Sequence, residues 1–370
     1  MKTFFNLVQE VQKPGLCHRC GGCVAFCTAV NYGALELDED GKPRYKDIDK
    51  CIECGLCYLI CPEIDELDAE TKKRISWSEP IGRVIETSVA RAVDPEIRKM
   101  ATDGGVVTAL LLHLFDTGHI DGAIVTRQTG RFQREPILAS TRKEIIESAG
   151  FFSDTSHGMS GFGDEYMAHR AIEQFSPLMR KGLRRVALVG TPCQIHTFRR
   201  METIGVMPSD SISITLGLFC SGNFIFGEEQ RKKLAENENF NWDDVERINI
   251  KDKFLISLKN GETIGIEMEK LDFMKRYACR FCDDYSSQYA DISFGGIGAL
   301  DGWTTVIART PKGRAAFADA RSTALQEFCH KDDPEYASNA LISVMQAASA
   351  KRRAARLNRR ELNPSVIIRD

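Results

Sequence analysis

The chain has 370 residues, and its 49 lysines and arginines against 52 aspartates and glutamates give a formal net charge of -3 at pH 7. This length allows two or more domains, and the nearly balanced charge excludes the strongly basic class of nucleic-acid-binding proteins. Thirteen cysteines are too few for a disulfide-stapled secreted protein of this size, and their metal-ligand spacing predicts a reducing, cytoplasmic location.

The apolar pattern argues against a membrane segment. The N-terminus lacks the apolar stretch of a signal peptide. No run of apolar residues approaches the length of about 18 that a bilayer-spanning helix needs. The longest apolar stretch, residues 106–115, is interrupted by Thr108 and His113 and predicts a core helix. We therefore expect no direct insertion into a membrane.

Residues 1–70 carry two copies of the spacing C-x₂-C-x₂-C-x₃-C, which is typical of bacterial ferredoxins with two [4Fe–4S] clusters. In such pairs the fourth cysteine of each run ligates the cluster of the other run. Zinc is disfavoured because a zinc site does not require the third cysteine of each run. The spacing predicts one cluster on Cys17, Cys20, Cys23 and Cys61 and another on Cys51, Cys54, Cys57 and Cys27.

The segments around the second run predict the domain boundaries. Between the two runs, residues 35–45 alternate in polarity around Gly41 and predict a short hairpin. From residue 63 to residue 80 the composition becomes polar and charged, which is typical of a linker. The predicted units are a ferredoxin-like domain (1–70), a linker (71–83), a larger domain (84–335) and a basic helical tail (336–370).

The larger domain interleaves apolar strand-like runs with helices. One helix begins after Asp103 and ends near Gly118, and another has Thr141 at its cap with Glu144 at the capping-box spacing. Asn260-Gly261 predicts a hairpin over residues 254–268. This order of elements predicts an α+β fold around a mixed sheet. The other predicted elements are strands at 84–93, 120–125, 185–190, 211–220, 291–294 and 304–308, and helices at 166–181 and after Pro192.

Four further cysteines lie at strand ends or in a C-x₂-C pair: Cys193, Cys220, Cys279 and Cys282. Together they could form a four-thiolate site for an iron–sulfur cluster or for zinc. Alternatively, Cys193 and Cys220 are simply buried, since free cysteine is among the most buried residue types. Their spacing leaves this choice open. Cys329 has no such context and is expected to be inert.

Two glycine-rich turns are candidates for binding a cofactor. Iron–sulfur clusters carry single electrons whereas hydride donors deliver pairs, and a flavin commonly joins the two. A turn at a helix N-terminus suits flavin phosphates because its free N–H groups and the helix dipole attract anions. Residues 102–108 and residues 293–298 both fit this description. Each pattern is weak alone, since an ordinary capped helix would explain the first equally well.

Six sequence motifs occur in an order that resembles one protein family. This family is that of the β subunits of coenzyme F420 hydrogenases and dehydrogenases. The similarity covers roughly residues 84–310. With its two ferredoxin runs, the whole chain is similar to the family members that oxidise reduced coenzyme F420. The six motifs are Thr102–Leu110, Val189–Ile195, Gly217–Cys220, Cys279–Asp283, Ala290–Gly295 and Gly302–Val306.

The resemblance implies FAD in the larger domain and coenzyme F420 as the substrate. A hydride would pass from reduced F420 to FAD, and single electrons would then pass through three clusters to a ferredoxin or partner redox subunit. That partner would dock near residues 15–62. The third cluster would lie on Cys193, Cys220, Cys279 and Cys282. FAD would lie against the glycine turns at Thr102, Asp103, Gly104, Gly105, Val106, Thr108, Gly295 and Gly296.

The chain departs from the family pattern at residues 150–153, where Gly-Phe-Phe-Ser stands in place of Gly-Ser-Lys-Tyr. This departure leaves the hydride donor open. NAD(P)H is one alternative, although no dinucleotide fingerprint occurs, and service to a heterodisulfide-reductase-like complex is another. A non-catalytic electron-wiring subunit is the remaining alternative.

Two groups of basic residues are candidates for binding anions. The tail of a deazaflavin carries phosphate and glutamate groups, and Arg127, Arg131 and Arg134 could bind them, although solvated surface charge is the simpler interpretation. Residues 351–364 are basic and predict a helix that ends at Pro364. We interpret this helix as solvated, with docking to an acidic partner as the alternative.

Overall fold

The computed structural model describes residues 1–30, 32–130, 133–150, 183–328 and 335–362. Its N-terminal part places the two cysteine runs on matching helix starts. Gly21 (φ +80°) and Gly55 (φ +72°) each follow the second cysteine of a run and cap the helix that holds the third. This left-handed conformation explains why glycine recurs at the position. The elements here are α1 (Phe4–Leu7, continued by the π-helical turn Val8–Gln12), α2 (Gly22–Ala29), β1 (Leu35–Leu37), β2 (Pro43–Tyr45), the 3₁₀ turn Ile48–Lys50, α3 (Leu56–Leu59) and α4 (Asp68–Arg74).

The segments flanking the second cysteine run differ in how well they were predicted. The hairpin at residues 35–45 is confirmed, with β1 antiparallel to β2. The linker prediction is wrong in part, because α4 lies within the polar stretch from residue 63 to residue 80. Thr71 of α4 is fully buried and accepts a hydrogen bond from the Thr203 hydroxyl (3.3 Å). This helix therefore packs against the larger part of the protein.

An eight-stranded mixed sheet forms the centre of the larger part. Its strands, in order across the sheet, are β13 (Leu325–Glu327), β3 (Glu86–Ala92), β12 (Thr304–Ala308), β11 (Ile292–Gly295), β7 (Ile212–Leu218), β6 (Val186–Gly190), β4 (Gly122–Gly130) and β5 (Gln133–Ala139). The neighbours β11, β7, β6 and β4 are parallel, and the other pairs are antiparallel. The predicted α+β class with a mixed sheet is confirmed. The edge strands β5 and β13 were not predicted.

A separate three-stranded antiparallel sheet contains β8 (Val245–Ile250), β9 (Phe254–Leu258) and β10 (Thr263–Ile266). Pairing of β9 with β10 confirms the predicted hairpin, with Gly261 at φ +90° in its turn. The sequence did not predict β8. A register shift between Val245 and Arg247 breaks the alternation by which a strand is identified.

The helices of the larger part include those predicted at 103–115, at 141–149 and after Pro192. The capping box is present, with the Thr141 N–H donating to the Glu144 carboxylate (3.0 Å) and the Glu144 N–H donating to the Thr141 hydroxyl (3.2 Å). The predicted helix at 166–181 lies outside the described residues. Within the described ranges, no helix has both the length and the apolar character needed to cross a bilayer. The helices are α5 (Pro95–Met100), α6 (Val106–Asp116), α7 (Arg142–Glu147), α8 (Pro192–Ile204), α9 (Glu228–Glu238), α10 (Pro311–Arg321) and α11 (Tyr336–Leu362).

The two faces of the large sheet have separate hydrophobic cores. On one face, α6 and α10 pack against the sheet through residues such as Leu110 and Phe317. On the other face, Phe198 of α8 shares a core with Phe26 and Ile60 of the cysteine-bearing segment. The segment with the two cysteine runs is therefore fixed to the sheet through a common core, since buried apolar area stabilises the contact.

Helix α11 corrects the prediction of a solvated basic helix. Its buried residues Val344 and Ala348 pack in a cluster with Ile307 of the sheet. Lys351 donates to the main-chain oxygens of Cys220 and Asp284, and Arg359 donates to that of Phe281. The basic side chains were predicted to face solvent because their acceptors lie far away in the sequence.

A buried ion pair fixes α8 to the sheet. Asp291 is fully buried, and its Oδ1 lies 3.0 Å from Nη2 of Arg199 on α8. It also accepts hydrogen bonds from the Thr215 N–H (2.9 Å) and the Thr310 hydroxyl (2.7 Å). Burial alone would raise the pKa of Asp291, but the charges of Arg199 and Lys312 and these hydrogen bonds outweigh it, so the pKa is lowered. Asp291 is therefore a carboxylate in the folded protein.

Replacing Asp291 by Asn should destabilise the protein by about 3 kcal/mol, because it removes the fully buried one of the two carboxylates that pair with the buried Arg199, the other being Glu202. A carboxylate whose pKa is lowered in the folded protein adds to the free energy of unfolding. This contribution is complete above about pH 4 and is lost as the pH falls through the folded pKa. The urea midpoint and the melting temperature should therefore be compared at pH 7. The matched control is Asp319→Asn, which removes a half-exposed partner of His113 and should change both little. Equal urea midpoints for the D291N variant and the wild type would show that the Asp291–Arg199 pair does not stabilise the folded protein.

Candidate functional site

The eight N-terminal cysteines surround two cavities of nearly equal size. One has an empty volume of about 360 Å³ and the other of about 370 Å³. The first cysteine set, around the former, is Cys17, Cys20, Cys23 and Cys61. The second cysteine set, around the latter, is Cys27, Cys51, Cys54 and Cys57. The structure thus groups the sulfurs in the crossed arrangement that the spacing predicts, and ligation of clusters by them stays a prediction.

The chemistry of these donor sets fits iron–sulfur clusters. Burial raises the pKa of Cys17 to about 11 and that of Cys57 to about 12, and neighbouring cysteines add to both shifts. Thiols grouped in this way become thiolates only when cationic irons bind them. Among the residues the structure describes, no three His, Cys, Asp or Glu side chains converge on one point as a single metal ion requires. A four-iron cubane instead takes one thiolate at each of four separate corners.

The third cysteine set consists of Cys193, Cys220, Cys279 and Cys282. Cys193 lies in the first turn of α8, and Cys220 follows β7. Cys279 lies within the 3₁₀ turn Tyr277–Arg280, and Cys282 follows that turn. Burial raises the pKa of Cys193, and the thiols of Cys282 and Cys220 are near enough to add to the shift. Cys279 acts on Cys220 in the same way. The structure therefore brings together all four cysteines that the spacing alone left undecided.

A large cavity lies at the carboxyl ends of the parallel strands. It has an empty volume of about 1530 Å³ and is lined by Gly190 of β6, Leu218 of β7 and Gly295 of β11. In open sheets of this kind, ligands bind beyond the carboxyl ends of the strands. This volume includes space that is open to solvent.

The predicted glycine turn forms one wall of this large cavity. Gly105 (φ +74°) caps α6 and turns the first residues of that helix, Val106 and Thr108 among them, toward the cavity. Thr102 also lines it, and its buried hydroxyl has no hydrogen-bond partner among the described residues. A buried hydroxyl without a partner is costly, so this atom fits a ligand that supplies one. Gly104 does not line the cavity. A Cβ there would meet the main-chain oxygen of Ala90 at 2.8 Å, so packing requires glycine at this position, and the contact of Gly104 with FAD stays a prediction.

The second glycine turn faces the first. A Cβ on Gly296 would lie 2.6 Å from Oδ2 of Asp103, so only glycine fits there without displacing that carboxylate. Asp103 accepts a hydrogen bond from Nδ2 of Asn249 (2.8 Å) and lies 3.9 Å from Nζ of Lys251. Burial raises the pKa of Asp103 despite these partners. The sequence analysis missed Asn249 because β8 was not predicted.

Of the three arginines proposed for the substrate tail, only Arg134 lines the cavity in the described part of the chain. Its guanidinium donates to the Thr126 hydroxyl (2.6 Å) and to the main-chain oxygen of Ser148 (3.2 Å). Burial lowers the pKa of Arg134 to about 8. Arg127 instead forms an exposed ion pair with Glu135. Arg131 lies outside the described residues, as do Phe151, Phe152, Ser153 and Cys329.

The three cysteine sets and the large cavity form a continuous series. Cys220 belongs to the third set and also lines the cavity. Cys20 of the first set acts electrostatically on Cys193 of the third, and its Sγ lies 3.3 Å from the Thr197 hydroxyl, one turn further along α8. Cys57 of the second set acts in the same way on Cys23 of the first. The order in space is cavity, third set, first set, second set.

Comparison with known families gives matches to three domain models. Residues 87–160 match the N-terminal domain of the coenzyme F420 hydrogenase/dehydrogenase beta subunit, and residues 183–333 match its C terminus. Residues 9–62 match a 4Fe-4S dicluster domain. The predicted resemblance is thereby confirmed.

Individual relatives agree with these matches. The chain is 32% identical to coenzyme F420 hydrogenase subunit beta of Methanococcus voltae, over 64% of this chain and 81% of that one. It is 27% identical to an F(420)H(2) dehydrogenase subunit of Methanosarcina mazei, over 84% of each chain. A chain of the F420-reducing [NiFe] hydrogenase complex from Methanosarcina barkeri superimposes with a TM-score of 0.66 at 26% identity, over 79% of this chain and 96% of that one. The chain therefore belongs to the family of coenzyme F420 hydrogenase/dehydrogenase beta subunits, which are iron–sulfur oxidoreductase subunits, and it carries a 4Fe-4S dicluster domain before the family domains.

Proposed function

We propose that this protein takes a hydride from reduced coenzyme F420 onto FAD and passes single electrons through three [4Fe–4S] clusters to a ferredoxin or partner redox subunit. The observation that carries the proposal is the position of Cys220, which lines the large cavity and belongs to the third cysteine set. A flavin there and a cluster on the third set would be in direct succession. Residues 1–70 would then be the part that delivers electrons.

Bound FAD would supply the exchange between two-electron hydride chemistry and one-electron transfer. The chain itself binds and orients the reactants. This positioning can remove a large part of the activation free energy of hydride transfer. The N-terminus of α6 offers free N–H groups to phosphate oxygens, and the Thr102 hydroxyl offers a further donor. Phe219 and Tyr285 supply apolar cavity wall on the side of Cys220.

Reduced coenzyme F420 is the proposed hydride donor because the relatives carry it in their names. Arg134 is the proposed partner of an anionic group on the substrate or the flavin, because its guanidinium is held at the cavity wall by Thr126 and Ser148. Bidentate binding of phosphate or carboxylate is the usual role of a preoriented arginine.

The proposed exit for electrons is the second cysteine set. Cys51 and Cys54 are partly exposed, and Ile52 between them and Ile48 nearby are largely exposed apolar side chains. An apolar surface beside a redox centre allows a partner to exclude water from the contact.

The donor can be identified anaerobically by following flavin bleaching after mixing with reduced F420, NADH or NADPH. We expect rapid bleaching by reduced F420 alone. Bleaching by a nicotinamide instead would replace the substrate and leave the electron path as proposed. Absence of bleaching by all three would contradict the proposed enzyme and indicate a subunit that receives electrons only from its partner.

The third cluster is tested by Cys282→Ala. The variant should lose four irons, falling from about twelve to about eight per chain, because a cubane that lacks one of its four thiolates is poorly retained. Iron and acid-labile sulfide analysis measures this loss. Cys329→Ala is the matched control and should keep the full iron content. An iron content of about eight in the wild type, unchanged in C282A, would contradict a third cluster.

The flavin site is tested by Thr102→Val. Removing the hydroxyl should weaken FAD binding about 5-fold, equivalent to about 1 kcal/mol for one hydrogen bond, without lowering the melting temperature of the flavin-free protein. The matched control is Thr87→Val, since the Thr87 hydroxyl is also buried without a partner among the described residues but lies away from the cavity. Equal FAD dissociation constants for T102V and T87V would show that Thr102 makes no contact with the flavin.

A further inference from the structure

One lysine of α11 differs from the other basic residues of that helix. Nζ of Lys351 donates to the main-chain oxygens of Cys220 (2.7 Å) and Asp284 (2.8 Å). The first acceptor belongs to a member of the third cysteine set, and the second lies two residues after Cys282. The ammonium group therefore bridges the two loops that carry three of the four cysteines.

The charge of Lys351 is placed differently from those of its neighbours. Arg352 forms an ion pair with Glu79, and Arg359 forms one with Glu63. Both acceptors of Lys351 are carbonyl oxygens instead, and the buried Asp284 carboxylate is a weaker electrostatic partner of the ammonium than the cysteines are. The strongest electrostatic partners of the ammonium are the thiols of Cys282, Cys220 and Cys279.

A fixed positive charge next to a cluster changes its reduction potential. Reduction adds one electron, and so one negative charge, to the cluster. A cation nearby stabilises that form, and it does so more strongly in a poorly solvated interior than in water. Net charge and solvent exposure are among the factors that set the potentials of iron–sulfur clusters. Lys351 supplies such a charge on the side of the third set that faces α11.

We propose that Lys351 is a positioning residue that raises the reduction potential of the cluster on Cys193, Cys220, Cys279 and Cys282. This inference rests on the proposed function. It makes the third cluster the favoured first acceptor of an electron that leaves the large cavity through Cys220. In each such step one electron would leave a bound flavin and enter the cluster, and it would then pass on toward the first set. Lys351 itself undergoes no reaction.

The test is an EPR-monitored redox titration of the cluster-loaded, full-length protein with a chemical reductant, without F420. Lys351→Gln keeps a hydrogen-bond donor but removes the charge, whereas Lys351→Arg keeps both. We expect one of the three midpoint potentials to become more negative in K351Q, with the other two unchanged, and K351R to remain near the wild type. Arg353→Gln removes an exposed charge from the same helix and should leave all three potentials unchanged.

Iron analysis separates the possible failures. Unchanged potentials in K351Q at full iron content would overturn the inference. Loss of four irons from both K351Q and K351R would also overturn it, because Lys351 would then act through loop structure rather than charge. An iron content of about eight per wild-type chain would refute the third cluster itself, and with it the proposed function on which the inference rests.

Discussion

The close packing of α2 against α8 is the contact on which the proposed electron path depends. A Cβ at Gly22 would overlap the methyl group of Thr197, so the two helices can approach this closely only because position 22 has no side chain. This approach puts the Thr197 hydroxyl 3.3 Å from Sγ of Cys20. Cys193 lies one turn before Thr197 on the same helix, so α8 contacts the first and the third cysteine sets together. A wider spacing of the helices would separate the two sets.

Buried arginines hold the loops that carry the cysteines in this arrangement. Arg276, just before Cys279, donates to the main-chain oxygen of His18 in the first run (3.0 Å). Arg200 of α8 donates to that of Leu59, just before Cys61 (2.9 Å). Arg309 is almost fully buried and donates to the main-chain oxygens of Ile81 (2.7 Å) and Ser286 (3.0 Å). One guanidinium can satisfy several carbonyls of irregular backbone, which explains why arginine rather than lysine occupies these positions.

What the sequence could predict depended on how local each signal is. The crossed grouping of Cys61 with the first run could be predicted from spacing, because two runs of C-x₂-C-x₂-C-x₃-C are together typical of that grouping. The third set could not be assigned from spacing, since Cys193 and Cys279 are far apart in the chain, and the family resemblance was needed. The hydrogen bonds of Lys351 had no local signal in the sequence. Its acceptors are main-chain oxygens, and any residue can supply those. The packing of Gly104 against Ala90 likewise had no local signal, because Ala90 lies on a different element of the fold.

The arrangement in space also explains why the family domain and the dicluster segment behave as one unit. The third cysteine set has its members on α8, after β7 and in the 279–282 turn, so it forms only once the large sheet is folded. The first set is held against that sheet by the shared core of Phe26, Ile60 and Phe198. The first and second sets both lie within residues 1–70. Electrons moving from the cavity to the second set would pass from the large sheet to the N-terminal segment. The cavity is where a hydride would be oriented, and the partly exposed second set, with the exposed Ile48 and Ile52 beside it, is where a partner would be accommodated.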